Sequence, residues 1–299
     1  VLDLIDVTKA YRGGHRAVDG ITLGLRPGVL GLLGPNGAGK STLMRIAATA
    51  ARPTSGRVLL DGADALARPR RLRRTLGYLP QDFGFYPELT GREFLSYLAA
   101  AKGVGARTAR TRIAELLGLV GLGAAADRRL GGYSGGMLRR IGIAQALVND
   151  PRVIILDEPT VGLDPEERAR FHTLLSDLAA ERAVVLSTHI VPDAEAVAAD
   201  VAVVAEGRLV LQGRPADLVA GLEGRVWEAV VDPAAPSALG EWSTVVRSVR
   251  EGELLRVRVV APERPLPDAV PLRPGLEDAY RAALGTGPAD PRLPVGARR

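Results

Sequence analysis

Cysteine is absent from the 299 residues, and histidine occurs only at His15, His172 and His189. The first absence excludes a disulfide scaffold, a thiolate zinc site and cysteine catalysis. The second leaves too few imidazoles for a multi-histidine metal centre. Lysine is scarce: among the 39 basic residues only Lys9, Lys40 and Lys102 are lysines, and the rest are arginine. Aromatic side chains form 4 % of the chain, so a local concentration of them carries information. Long apolar runs are missing too. The longest uncharged stretch, Pro27 to Gly39, is glycine-rich and too short to cross a bilayer. The opening VLDLIDVTKAYRGG lacks the charged-then-apolar plan of a signal peptide. The expectation is a soluble cytoplasmic chain that leaves any membrane crossing to another chain.

Hydrophobic residues make up 46 % and charged residues 24 %, a globular balance in a chain long enough to bury a core without cross-links. The net charge of +5 comes from dispersed arginines and one short cluster, Arg68 to Arg74, which reads as a solvated helix face. No nucleic-acid partner is expected.

Along residues 1–30, short alternating runs predict antiparallel strands. A buried strand at Val29–Leu33 then runs into a glycine-rich loop and a helix beginning near Lys40. A helical middle spans Thr90 to about Leu122, and a helix follows at Leu138–Val148. Next come an apolar strand at Val153–Leu156, a helix at Glu166–Ala180 and a strand at Ala183–Ser187. Fully apolar strands separated by helices predict an α/β fold with a parallel sheet covered on both faces. Near residue 222 the pattern changes to half-buried strands at 226–231, 245–249 and about 254–259, with a short helix at Leu276–Leu284. The expected division is 1–222 as a nucleotide-binding domain, 223–285 as a small accessory α+β domain, and 286–299 as a disordered tail.

The strongest chemical signal is Gly34-Pro35-Asn36-Gly37-Ala38-Gly39-Lys40-Ser41-Thr42, which fits G-x-x-x-x-G-K-[ST] between a buried strand and a helix. Glycines let backbone N–H groups turn inward around phosphate oxygens, and the helix N-terminus adds partial positive charge. Lys40 is expected to reach the β- and γ-phosphates of a nucleotide, and the Ser41 hydroxyl to ligate Mg2+. The second signal is the apolar strand ending in Asp157-Glu158. Asp157 is expected to hold the magnesium ion, and Glu158 to orient and deprotonate the attacking water. The third is Tyr133-Ser134-Gly135-Gly136-Met137 directly before a helix, a second helix N-terminus built to meet an anion.

These three signals together over residues 1–222, the third lying between the first two in the chain, resemble the ATP-binding cassette (ABC) proteins. The resemblance implies a P-loop cassette with an N-terminal antiparallel β subdomain and a helical signature subdomain at about 85–145. It implies that Ser134, Gly135 and Gly136 bind the ATP held by a second nucleotide-binding subunit, in a homodimer or a heterodimer. Gln81 matches the glutamine that senses magnesium and attacking water, and Gly162-Leu163-Asp164 the loop that contacts the opposite subunit. His189 matches the switch histidine on the γ-phosphate, and Tyr11 the aromatic that stacks on adenine. Where the family usually has Leu and Gln, this chain has Tyr133 and Met137, which leave the hydroxyl and glycines in place. His15 and His172 read as surface residues.

The family's translation factors carry two cassettes in one chain and its DNA-repair members insert long coiled coils. Neither feature is present, which favours a transporter subunit partnered by a separate membrane permease on the inner face of the cell membrane. Gln81–Leu95, Ile141–Leu147 and Pro274–Tyr280 resemble the ATPases of bacterial export-type transporters, which handle drugs, antibiotics, lipids or sodium. Phe83, Phe85 and Tyr86, three of the scarce aromatics beside Gln81, are expected to line the groove for the permease, with packing inside the helical subdomain as the alternative. Two rival functions are a non-transport regulator driven by ATP-dependent dimerisation and a binding-only cassette. The presence of Gln81, Glu158 and His189 argues against the second.

Overall fold

The computed structural model describes residues 1–232, 239 and 242–285; the tail expected to be disordered lies outside the described residues. The strands are β1 (Leu2–Ala10), β2 (Arg16–Leu25), β3 (Gly28–Leu33), β4 (Ser55–Leu60), β5 (Ala63–Asp64), β6 (Leu76–Leu79), β7 (Val153–Asp157), β8 (Ala183–Thr188), β9 (Asp200–Ala205), β10 (Arg208–Gly213), β11 (Val226–Val231), β12 (Thr244–Glu251), β13 (Leu254–Val260) and β14 (Val270–Pro271). The α-helices are α1 (Lys40–Ala47), α2 (Pro69–Thr75), α3 (Gly91–Ala101), α4 (Ala106–Leu119), α5 (Gly135–Leu147), α6 (Pro165–Ala179), α7 (Val191–Val197), α8 (Pro215–Ala220) and α9 (Leu276–Gly285).

The strands form three sheets. In the first, ordered β2-β1-β4-β5, β1 alternates its residues so that Leu2, Leu4 and Val7 point into the core. The second is ordered β10-β9-β3-β8-β7-β6; β6, β7, β8, β3 and β9 run parallel, and β10 closes one edge antiparallel. Every residue of β7 and β8 is buried. That is why these strands read as unbroken apolar runs: helices pack on one face, α1 and the first sheet on the other, and no position is left for solvent. The parallel register carries the C-terminal ends of β3, β7 and β8 to the same edge, where the loop before α1, Asp157 and Thr188 meet.

The helical layer packs α3, α4 and α5 around Phe94, Leu95, Ile113, Leu117 and Ile141. Helix α3 starts at a capping box: Thr90 Oγ1 accepts from Glu93 N, and the Glu93 carboxylate accepts from Thr90 N. Helix α5 lies close to β6. A Cβ at Gly77 would come within 2.1 Å of the Ala146 carbonyl oxygen, so only glycine allows this approach. The Gln145 amide donates to Tyr78 O at 2.9 Å across the same seam.

The third sheet, β12-β13-β11-β14, belongs to the C-terminal region. One apolar cluster runs from Leu33, Val203 and Leu211 of the second sheet through Leu218 to Val226, Val260, Leu276 and Tyr280. The Arg258 guanidinium clamps the buried Asp278 carboxylate with two 2.7 Å bonds, tying β13 to α9.

Candidate nucleotide site

The loop between β3 and α1 is held by backbone contact. Gly39, the residue before α1, has φ +102°, and a Cβ there would lie 2.0 Å from the Ala17 carbonyl oxygen. No side chain caps α1, which leaves the first-turn N–H groups open to a ligand. Lys40 is buried and its ammonium donates to the carbonyls of Gly34 at 2.7 Å and Pro35 at 3.0 Å. Burial lowers its pKa, and the nearby Glu158 and Asp157 carboxylates oppose that shift.

Asp157 ends β7 almost fully buried. Burial raises the pKa of its carboxyl; the Ser41 and Ser187 hydroxyls and the Lys40 charge pull the other way. Among the described residues its Oδ1 has no hydrogen-bond partner. Buried polar atoms are almost always satisfied, so an orphaned carboxylate oxygen beside a serine hydroxyl is a hard-oxygen donor set that fits Mg2+. Glu158 follows with φ +51°, an uncommon conformation for a non-glycine residue, fixed in part by its N–H donating to Ser187 O at 3.0 Å. This turn swings Glu158 out of the strand line. Its Oε2 lies 2.8 Å from Nδ1 of His189, which is half-exposed just past β8.

A cavity of about 480 Å³ is lined by Tyr11, His15, Ala17, Asn36 to Thr42, Gln81 and Glu158. It therefore gathers the phosphate loop, the adenine-stacking candidate, Gln81 and the candidate base. Tyr11 is 44 % exposed at its edge, with the Lys9 ammonium 5.4 Å from the ring centroid. Ser134, Gly135 and Gly136 are not part of this lining. Ser134 caps α5, which Gly135 and Gly136 begin; its Oγ accepts from Met137 N at 3.2 Å, and both Ser134 and Gly135 are exposed. Asp164 of the Gly162-Leu163-Asp164 loop caps α6 through a capping box with Glu167.

His172 falls elsewhere than expected, and Phe83 and Phe85 follow the alternative of packing inward. His15 is exposed, as expected, and also lines the cavity, carried there by the turn in which Tyr11 N donates to His15 O at 2.9 Å; a lone exposed histidine gives no sequence signal for that lining. His172 is not a surface residue: its side chain is 17 % exposed, with Nε2 3.3 Å from the buried Asp193 carboxylate. Phe83 and Phe85 pack partly buried against the helical core, Phe83 lying over Gly142, so only Tyr86 is exposed, edge-on to Tyr97. Sequence reasoning also missed Arg139. It is buried on α5, and its guanidinium reaches carbonyls beside the site.

This is the architecture of a P-loop nucleotide-binding ATPase. Residues 18–161 match the ABC transporter family. The chain is 36 % identical over 285 residues to the Nod factor export ATP-binding protein I of Burkholderia orbicola (strain AU 1054), covering 94 % of this chain and 93 % of that protein. It is 39 % identical over 219 residues to an uncharacterized ABC transporter ATP-binding protein of Bacillus subtilis (strain 168), covering 73 % and 72 %. Among solved structures, a dimeric bacterial ABC transporter cassette superposes with TM-score 0.67 at 27 % identity, over 72 % of this chain and 98 % of that one. A post-hydrolysis dimeric cassette bound to ADP and Pi gives 0.66 at 28 %. The chain belongs to the ABC transporter family: it is an ATP-binding, ATP-hydrolysing subunit.

Proposed function

We propose that the chain dimerises on ATP and Mg2+ and drives export through a separate membrane permease, lying on the inner face of the cell membrane through that contact. One observation carries the dimer reading. The cavity gathers Lys40, Gln81 and Glu158, yet the exposed N-terminus of α5 with Ser134 and Gly135 lies outside its lining. Two helix N-termini suited to phosphate then serve two different nucleotides, and a second chain completes each site.

In this reading the open N–H groups of α1 and the Lys40 ammonium hold the β- and γ-phosphates. Ser41, Asp157 and Gln81 would hold a magnesium ion, which would supply charge neutralisation at the phosphates. Glu158 orients the attacking water and accepts its proton, and His189, 2.8 Å away, fixes the carboxylate and faces the γ-phosphate. Tyr11 stacks on the base. Ser134, Gly135 and Gly136 close over the partner's phosphates. Residues 1–222 act as the cassette, with the helical part at about 85–145, and 223–285 as an accessory region.

The export direction is supported by the likeness to a Nod factor export ATP-binding protein. Among the described residues no helix is long and apolar enough to cross a membrane, which is consistent with a separate permease. Affinity purification of the full chain from detergent-solubilised membranes tests this. A polytopic membrane protein is expected to co-purify, with ATPase activity that responds to its transported compound. Recovery of only soluble partners would favour the regulator instead.

A further inference from the structure

Arg139 lies one turn beyond Ser134 on α5 and is 8 % exposed. Among the described residues it forms no ion pair; its hydrogen bonds go to main-chain carbonyls. Nε donates to Pro159 O at 3.1 Å, Nη1 to Gln81 O at 3.0 Å, and Nη2 to Asp157 O at 2.5 Å and to Glu158 O. The neighbouring Arg140 behaves differently. It pairs with Glu167 at 3.2 Å and reaches the carbonyls after α4, so it fastens α5 to its surroundings.

Burial works against the Arg139 charge and lowers its pKa, while the carboxylates of Asp157, Glu158 and Asp82 favour it. A buried cation is a poor way to gain stability compared with an apolar side chain of the same volume. What the guanidinium offers is a rigid planar fork with five donors, which can bind several carbonyls at once in a fixed geometry. Here the fork joins two separate segments: the Gln81 main chain after β6, and the Asp157–Pro159 main chain after β7. Both segments carry side chains that face the nucleotide cavity. The fork itself stands on the helix whose N-terminus lies outside that cavity.

We propose that Arg139 is a positioning residue for hydrolysis, which fixes Gln81 and Glu158 of its own chain relative to each other and couples them to the position of α5. The proposal rests on the reading in which α5 engages the partner's nucleotide. Engagement of the partner's ATP by Ser134 then reaches the base and the glutamine of the same chain through one guanidinium. The phosphate-loop contacts that bind ATP do not pass through it.

Two variants, Arg139→Gln and Arg139→Lys, test the assignment in the full-length chain. Arg139→Gln is expected to lower kcat by on the order of tenfold to a hundredfold, since misplacing reacting groups by about 1 Å has effects of that size. KM for ATP and the affinity for labelled ATP are expected to stay within about twofold. Arg139→Lys keeps the charge without the planar fork and is expected to remain slow; full rescue by lysine would overturn the geometric assignment. Should Arg139→Gln melt far below the native chain, Arg139→Lys carries the same comparison.

A mixed-chain experiment separates positioning from general support of α5. Pairing Ser134→Arg chains with Lys40→Ala chains leaves one functional site, formed by the phosphate loop of the first and the signature of the second. Arg139→Gln is then placed on one chain or the other. Loss of activity when it sits with the working phosphate loop, and retention when it sits with the working signature, is the expected result. The reverse pattern, equal loss in both, or no loss in either overturns the proposal. If the parent pair is itself inactive, either the two-chain reading fails or hydrolysis needs both signatures engaged. The kcat of unmixed Arg139→Gln then still decides whether the link within the chain matters, because an unchanged kcat overturns it.

Discussion

The N-termini of α1 and α5 both suit an anion, but the chain treats them in opposite ways. The one at α1 is enclosed. Its cap residue is a glycine that the Ala17 carbonyl will not allow to be anything larger, and its N–H groups are left without a side-chain cap. The one at α5 is open. Ser134 caps it with its own hydroxyl, and a Cβ at Gly135 would meet nothing within 4 Å. The glycine at α1 is required by the chain that contains it. Nothing among the described residues requires the glycine at α5, which is understandable if the surface it keeps open belongs to a second molecule's nucleotide.

The largest effects come from disrupting the enclosed end. Gly39→Ala and Lys40→Ala are each expected to abolish or severely weaken equilibrium binding of labelled ATP, through a steric collision in the first and loss of a charged phosphate contact in the second. Gly135→Ala should leave single-chain ATP affinity unchanged and the stability within about 0.5 kcal/mol. Equal damage from Gly39→Ala and Gly135→Ala would erase the contrast. Next in size is Glu158→Gln, which keeps the shape and removes the base. Hydrolysis is expected to fall by roughly a hundredfold or more with ATP still bound, and a dimer trapped by ATP should appear in size-exclusion chromatography.

A smaller effect is expected away from the site. Arg258→Met leaves the Asp278 carboxylate buried without its guanidinium, at a cost of about 3 kcal/mol. A lowered melting temperature with unaltered ATP affinity would show that the C-terminal sheet is fastened to the cassette without shaping the nucleotide cavity. A comparable effect concerns Lys102, whose pKa burial lowers from the usual value near 10.5 to about 8. Between those values the unfolded chain holds a proton that the folded chain has released. This lysine's contribution to stability therefore rises as pH climbs from about 8 to 10.5. Thermal melts of Lys102→Met across that range should lack the rise.

The enclosed half of the site is legible in the sequence because its chemistry is contiguous. Nine successive residues make the phosphate loop, and Val153–Glu158 shows both a buried strand and its terminal acids. The strands β7 and β8 are equally plain, since burial on both faces forces an apolar run. Strand β6 is harder to see. It has four residues, one of them the glycine that α5 demands, and neither fact shows in a periodicity. Phe83 and Phe85 illustrate a different limit: scarcity of aromatics marks a place in the chain but not whether the rings turn inward or outward. Arg139 is the extreme case. Its partners are carbonyl oxygens up to 58 residues away, which no side-chain motif records.

The central claim, that the two helix N-termini serve nucleotides on different chains, is tested most directly by mixing Ser134→Arg chains with Lys40→Ala chains and measuring ATP hydrolysis. Each variant alone is expected to be inactive, and the mixture to recover part of the native rate through the one hybrid site. If Ser134 served the ATP of its own chain, each protein would carry one broken site, and a mixture no more active than its components would contradict the account.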